Sequence, residues 1–220
     1  TGKTLPWGTL TGIRPTKMAM EHINAGMKDD DILAFMKQAY YISDEKGILS
    51  INIAELEKKI LAQISPENGY SMYIDIPFCP TTCMYCSFTS NPIGKFAGMV
   101  PAYLDALEKE ICATFELMSE KKPDTLYIGG GTPTTLEPDQ LERLFDILAS
   151  KTDLSELKEF TVEAGRADSI TREKLAVMKK YGVSRISVNP QTMKDETLRL
   201  IGRHHTVGQV YDAFRMARDC

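Results

Sequence analysis

No stretch of this chain approaches the roughly 20 consecutive apolar residues needed to cross a bilayer, and its first residues, TGKTLPWGTL, lack a basic segment followed by an apolar one. Both absences point to a cytoplasmic protein with no transmembrane segment. Positive charge is also in short supply. The 26 Lys and Arg are scattered against 30 Asp and Glu, for a net charge of -4, without a run or stripe that would match a nucleic-acid backbone. Nucleic acid is therefore not an expected partner. Cysteine is sparse, at five residues, and two of these, Cys112 and Cys220, stand alone. So uneven a set does not make the disulfide framework of a small secreted domain, and it favours metal binding instead. What the chain does have is 43% hydrophobic and 25% charged residues over 220 positions, enough apolar material for a sizeable core.

The opening TGKT lacks the upstream glycine and the preceding strand that a phosphate-binding loop requires. Residues 15 to 64 carry helical periodicity and no strand pattern: Ile32, Met36 and Ala39 define one face, and Ile53, Leu56, Ile60 and Ile64 another. ISPENGY, with Pro66, Asn68 and Gly69, then interrupts the pattern. A helical lead-in over residues 1–69 and a second part over 70–220 follow from that break.

In the second part, apolar strands alternate with amphipathic helices. YSMYIDI precedes a helix bearing Leu104, Leu107, Ile111, Phe115 and Met118, and DTLYIGG precedes one that starts near Pro138 and bears Leu141, Leu144, Phe145 and Leu148. EFTVEA is followed by a helix around Thr171 to Tyr181, and SRISVNP by a stripe of Val207, Val210, Phe214 and Ala217 that runs to the chain end. Four βα units in series demand a parallel sheet and an α/β fold. The last stripe has no capping glycine and no element after it, so the sequence is expected to belong to something longer.

Parallel sheets gather ligands at the carboxyl ends of their strands. The unusual features of this sequence all fall there: the cysteines after the first strand, GGGTPT after the second, Glu163 ending the third and Gln191 ending the fourth. Cys79, Cys83 and Cys86 sit in a loop restricted by Pro77 and Pro80. A zinc site would want a fourth ligand, and His22, His204 and His205 are not spaced to provide one. A 4Fe-4S cluster held by three thiolates would leave one iron open to a small molecule. Three adjacent buried thiols without a metal are the remaining reading.

The three-then-two cysteine spacing resembles the signature of the radical S-adenosylmethionine superfamily. YIDIPFCPTTCMYCSF, GGGTPT, the strand-ending glutamate, RISVNPQT and LIGRHH together resemble the oxygen-independent coproporphyrinogen III dehydrogenases and their relatives, which include heme chaperones. LPWGTLTGIRPTK resembles the HemZ branch. The resemblance implies a partial parallel (β/α) barrel, of which about four βα units are present after the helical region. It also implies a 4Fe-4S cluster on Cys79, Cys83 and Cys86, with S-adenosylmethionine on the open iron. Tyr73 is implied near its sulfonium, Tyr85 at the adenine, Gly130, Gly131 and Thr132 at the methionine amino group, Glu163 and Gln191 at the ribose, and Arg203 at the methionine carboxylate.

The implied activity is decarboxylation of two propionates of coproporphyrinogen III through a 5′-deoxyadenosyl radical, with an electron donor such as a flavodoxin or ferredoxin. The alternative is heme binding, with His204 or His205 as an axial ligand. A chain holding only part of the barrel is expected to turn over little by itself. Two departures bear on the substrate: Asp75 replaces a common family histidine, and Phe88 stands where the established dehydrogenases have a fourth cysteine. Cys112, beside Ile111 and Phe115, is expected in the core, and Trp7 between the two parts.

Overall fold

The structure, a computed structural model, describes residues 4–10, 14–65 and 67–220. Most of TGKT, the centre of LPWGTLTGIRPTK and Pro66 of the interrupting stretch lie outside the described residues. The chain divides into two compact units, Thr1–Ile64 and Ser65–Cys220.

The first unit holds α1 (Pro15–Asn24), α2 (Asp29–Tyr40) and α3 (Asp44–Leu61). Pro15 occupies the first turn of α1, where a missing N–H is harmless, and three aspartates open α2 against the positive end of its dipole. Ser43 caps α3 by accepting from the Lys46 N–H at 3.3 Å. Ala19, Ile32, Met36, Ile42, Ile51 and Ala54 form the core.

Two expectations fail here. Ala39 is exposed, and so are Ile53, Leu56 and Ile60; α3 instead packs through Gly47, Ser50, Ile51 and Ala54. The cause is close approach, since a Cβ added at Gly47 would stand 2.4 Å from the Leu33 side chain. A face of small residues lets helices come nearer than the bulky stripe that dominates the periodicity. Trp7 packs on this unit's own core, with the Lys46 ammonium 5.7 Å from its ring centroid.

The second unit is built on β1 (Gly69–Ile76), β4 (Lys122–Gly130), β5 (Glu159–Glu163) and β6 (Arg185–Ser187), parallel neighbours in that order. Between β1 and β4 run β2 (Phe78–Cys79), β3 (Asn91–Pro92), α4 (Ile93–Phe96) and α5 (Val100–Leu117); α6 (Pro138–Ala149), α7 (Arg172–Lys180), α8 (Asp195–Leu200) and α9 (Val207–Asp219) follow later strands. Alternation along the strands sorts their side chains. Met72, Ile74, Ile76, Leu126, Ile128, Phe160 and Val162 form one core with Leu104, Leu107 and Ile111 of α5, Leu141, Leu144, Phe145 and Leu148 of α6, and Leu175 and Met178 of α7. Each such side chain contributes about 1.5–3 kcal/mol on burial. The intervening positions, Tyr73, Asp75, Tyr127 and Glu163, belong to the other face.

The expected partial parallel architecture is present, and four strands without closure are seen among the described residues. In α9 the packing residues are Val210 and Ala213, while Phe214 is 56% exposed. Here too the small side chain takes the closest seat. No helix among the described residues is long and apolar enough to cross a membrane.

Candidate functional site

The loops at the carboxyl ends of the four strands surround a cavity of about 240 Å³ that holds all three clustered cysteines. A larger hollow of about 490 Å³ lies along β1 and α5 and contains none of them.

The cysteine loop is pinned at several points. β2 pairs with β3, and the backbone and side-chain N–H groups of Asn91 donate to the Pro77 carbonyl at 2.8 and 3.0 Å. The Met84 N–H donates to the Ile201 carbonyl at 3.1 Å, and the Thr81 hydroxyl to the Gly202 carbonyl at 3.0 Å. The Cys86 N–H closes a turn on the Cys83 carbonyl at 3.0 Å. Cys79 is buried, its Sγ 3.4 Å from Thr132 Oγ1, and burial pushes its thiol up from the usual range. Cys83 and Cys86 are half-buried.

Beneath the loop runs the glycine stretch. The Gly131 and Thr132 N–H groups each donate at 2.8 Å, to the carbonyls of Ile76 and Phe78. A Cβ added at Gly131 would stand 2.6 Å from the Phe78 carbonyl oxygen and 3.0 Å from Cys79 Sγ. Gly130 adopts φ +97°, and a Cβ there would meet the Asp75 carboxylate at 2.1 Å. Neither position accepts a side chain.

Glu163, the last residue of β5, accepts a 2.5 Å hydrogen bond from the Tyr127 hydroxyl. That bond, with burial and the nearby carboxylate charge, pushes the Tyr127 phenol up to about 12. Tyr73 stacks on Tyr127 with centroids 5.6 Å apart and lies outside the lining of the cysteine cavity. Its phenol is raised by burial and by Asp75 and Glu163. Tyr85 lines the cavity half-exposed; burial raises its phenol against the opposing charge of Arg203.

Arg203 is buried. Its Nη1 donates to the carbonyls of Gly165 and Asn189 at 3.0 and 3.2 Å, and its Nε is buried without a partner. Gln191 corrects an expectation: it lies four residues beyond the end of β6, in a turn with φ +60° where its N–H bonds Asn189 Oδ1 at 3.0 Å. The strand stops at Ser187 because that residue pairs with Glu163, where the neighbouring β5 itself ends and the ladder has no further partner. His204 is exposed, whereas His205 is buried with neither ring nitrogen partnered. Cys112 sits half-buried on α5 and does not line the cavity; Phe88 is at its rim.

Among the described residues no three of the Cys, His, Asp and Glu side chains converge tightly enough to hold a single metal ion. Three thiols around one shared cavity suit a cluster of several irons, which spreads its ligands wider than one ion does. The open Nε of Arg203 and the side-chain-free floor at Gly130 and Gly131 leave unsatisfied polarity and room for a charged small molecule beside it. The residues present therefore fit an iron–sulfur cluster with an adjacent ligand.

Sequence reasoning missed Arg166, Asp168, Lys174 and Tyr127. Arg166 and Lys174 are buried cations, and Lys174 Nζ donates to the Thr134 carbonyl at 2.8 Å beneath the glycine loop, its pKa lowered by burial. The available signal was a charged EAGRAD segment placed directly after a buried strand.

The model of the Radical SAM superfamily matches residues 73–220. The chain is 41% identical to the oxygen-independent coproporphyrinogen-III oxidase-like protein HemZ of Bacillus subtilis, over 99% of this chain and 44% of that protein. It is 41% identical to the heme chaperone HemW of the same organism over 68% of this chain and 39% of the relative. Identity to the oxygen-independent coproporphyrinogen III oxidase of Salmonella typhimurium is 30%, over 70% and 33% of the two chains. The solved coproporphyrinogen III oxidase HemN of Escherichia coli, a Radical SAM enzyme, matches with a TM-score of 0.62 at 28% identity, covering 76% of this chain and 37% of that one. The chain thus spans less than half the length of these relatives.

Proposed function

Because the chain belongs to the radical SAM superfamily, a family whose name implies a 4Fe-4S cluster and S-adenosylmethionine, we propose that it supplies the cofactor-binding part of an enzyme that oxidatively decarboxylates coproporphyrinogen III to protoporphyrinogen IX. The observation that carries this reading is the convergence of three thiols, a glycine floor, Glu163 and Arg203 on one cavity. When bound, the cluster and S-adenosylmethionine supply one-electron cleavage of a carbon–sulfur bond and a 5′-deoxyadenosyl radical.

The chain's own residues bind and orient. Cys79, Cys83 and Cys86 would hold three irons. Backbone groups of Gly130, Gly131 and Thr132 would take the methionine amino group, and the free Nε of Arg203 its carboxylate, a charge-assisted contact that suits a guanidinium. Glu163, steadied by Tyr127, would accept from the ribose hydroxyls, with Gln191 beside it and Tyr85 at the adenine. Tyr73 would stand toward the sulfonium from the open face of β1. Reduction would come from a flavodoxin or ferredoxin.

A second reading, heme binding and transfer, draws support from the higher identity to HemW than to the Salmonella oxidase and from Phe88 in place of a fourth cysteine. His205 is too buried to serve as an axial ligand there, which leaves the exposed His204. Anaerobic reconstitution should give about four irons per chain with the paramagnetic signature of a reduced 4Fe-4S cluster. The full-length protein, given S-adenosylmethionine and coproporphyrinogen III, should then release 5′-deoxyadenosine and decarboxylated product. Tight heme binding without either product supports the second reading, and zinc or no metal in an oxygen-free preparation removes both.

A further inference from the structure

We propose that Arg166 positions the cysteine loop and raises the reduction potential of the cluster held there, an inference that rests on the function proposed above. Arg166 follows β5 by three residues and is 2% exposed. Its guanidinium is divided. Nε and Nη2 donate to the two carboxylate oxygens of Asp168, at 3.1 and 2.9 Å. Nη1 turns the other way, into the cysteine loop, where it donates to Thr81 Oγ1 at 3.1 Å and to the Thr81 carbonyl at 3.4 Å and stands 3.9 Å from Cys83 Sγ. A rigid planar fork reaches both sides at once, and a lysine does not.

The result is a buried dipole whose positive end faces the thiols and whose negative end is turned away. A salt bridge serving packing alone has no need to aim its third nitrogen at a cysteine. Thr81 in turn donates to the Gly202 carbonyl, next to Arg203, so the same contact ties the loop to the far wall of the cavity. Behind Asp168 lies buried His205, its Nδ1 3.8 Å from Asp168 Oδ1. Charges this far from solvent are weakly screened. Thiolate-bound iron gains a negative charge on reduction, so a cation facing it stabilises the reduced form. Nearby charge and hydrogen bonds to sulfur are recognised levers on the potential of such clusters.

The test compares anaerobically reconstituted wild type with Arg166→Gln, Arg166→Lys and Asp168→Asn by potentiometric titration followed by electron paramagnetic resonance, with iron content measured in parallel and S-adenosylmethionine left out. Arg166→Gln should make reduction at least tenfold less favourable, about 59 mV for a one-electron couple. Arg166→Lys should recover more than half of that shift while holding less iron, and Asp168→Asn, which unmasks the cation, should move the potential upward. Equal potentials in Arg166→Gln and wild type, or a downward shift in Asp168→Asn, overturn the inference while a loaded wild type leaves the functional reading standing. Should Arg166→Gln fail to load, the opposite signs expected of the other two variants decide. A wild type that takes up no cluster overturns both.

Discussion

The two faces of the sheet share strands and register and differ in almost everything else. Toward the helices, Met72, Ile74, Ile76, Leu126, Ile128, Phe160 and Val162 are buried among leucines, where shape and volume matter and chemistry is uniform. On the other face, one residue along, stand Tyr73, Asp75, Tyr127 and Glu163, joined by a ring stack and a single short hydrogen bond. The helix-packed face holds the fold by area removed from water. The open face and the loops above it contribute little area and much orientation. Stability and site chemistry should therefore come apart when either is changed alone.

The sharpest separation is expected at the cysteines. Cys83→Ala or Cys86→Ala should abolish the iron–sulfur signal and most bound iron, while the denaturation midpoint of the apoprotein moves by no more than about 0.5 kcal/mol, as for other substitutions outside the core. Loss of the folded state in either variant would break the comparison. The converse change is Phe160→Ala. Phe160 meets Phe145 edge to face at 5.5 Å, and its truncation should cost about 3–5 kcal/mol in chemical denaturation, with the folded fraction still binding iron.

Glu163→Gln comes next. It keeps the shape and removes the charge, and cluster-loaded protein should lose about 1.5–3 kcal/mol of S-adenosylmethionine affinity by calorimetry with stability unchanged, the weight of a hydrogen bond to an ionised group. Tyr127→Phe should lose only about 0.5–1.5 kcal/mol in the same measurement, one hydrogen bond with its partner left in place.

The smallest effect concerns the seam between the two regions. Burial disfavours the charged form of His205 and holds its pKa below 6.5 in the folded chain, against the opposing pull of Asp168. The unfolded chain then binds the proton more readily, so this contribution to stability is complete above about pH 6.5 and is lost as pH falls through the folded value. Thermal midpoints of His205→Leu should fall less than those of wild type between about pH 7 and about pH 5.

Much of this arrangement was legible in the sequence because it is periodic or local. Alternation within YSMYIDI and DTLYIGG, the Pro138 helix start and the tight cysteine spacing all leave marks within a dozen residues, and the sheet rule then carried GGGTPT and Glu163 to one end of the molecule. Contacts between distant residues left no such mark. The Arg166 to Thr81 bond spans 85 positions and the Tyr127 to Glu163 bond 36. The packing faces of α3 and α9 went unread for a different reason: they are set by Gly47, Ala54 and Ala213, and a count of bulky apolar residues passes over the small ones that permit contact.

The crowding of Gly131 against Cys79 bears on how the protein meets air. Susceptibility to sulfinic and sulfonic damage follows thiolate character and exposure, and Cys79, with Thr132 Oγ1 at 3.4 Å, the Gly131 backbone below it and its thiol pushed up by burial, is the most buried of the three clustered thiols. Damage to the empty loop should start at the half-exposed Cys83 and Cys86, where sulfenate and disulfide are reversible by added thiol. Brief aeration of the apoprotein should thus be repairable, with Cys79 recovered unmodified in peptide mass maps.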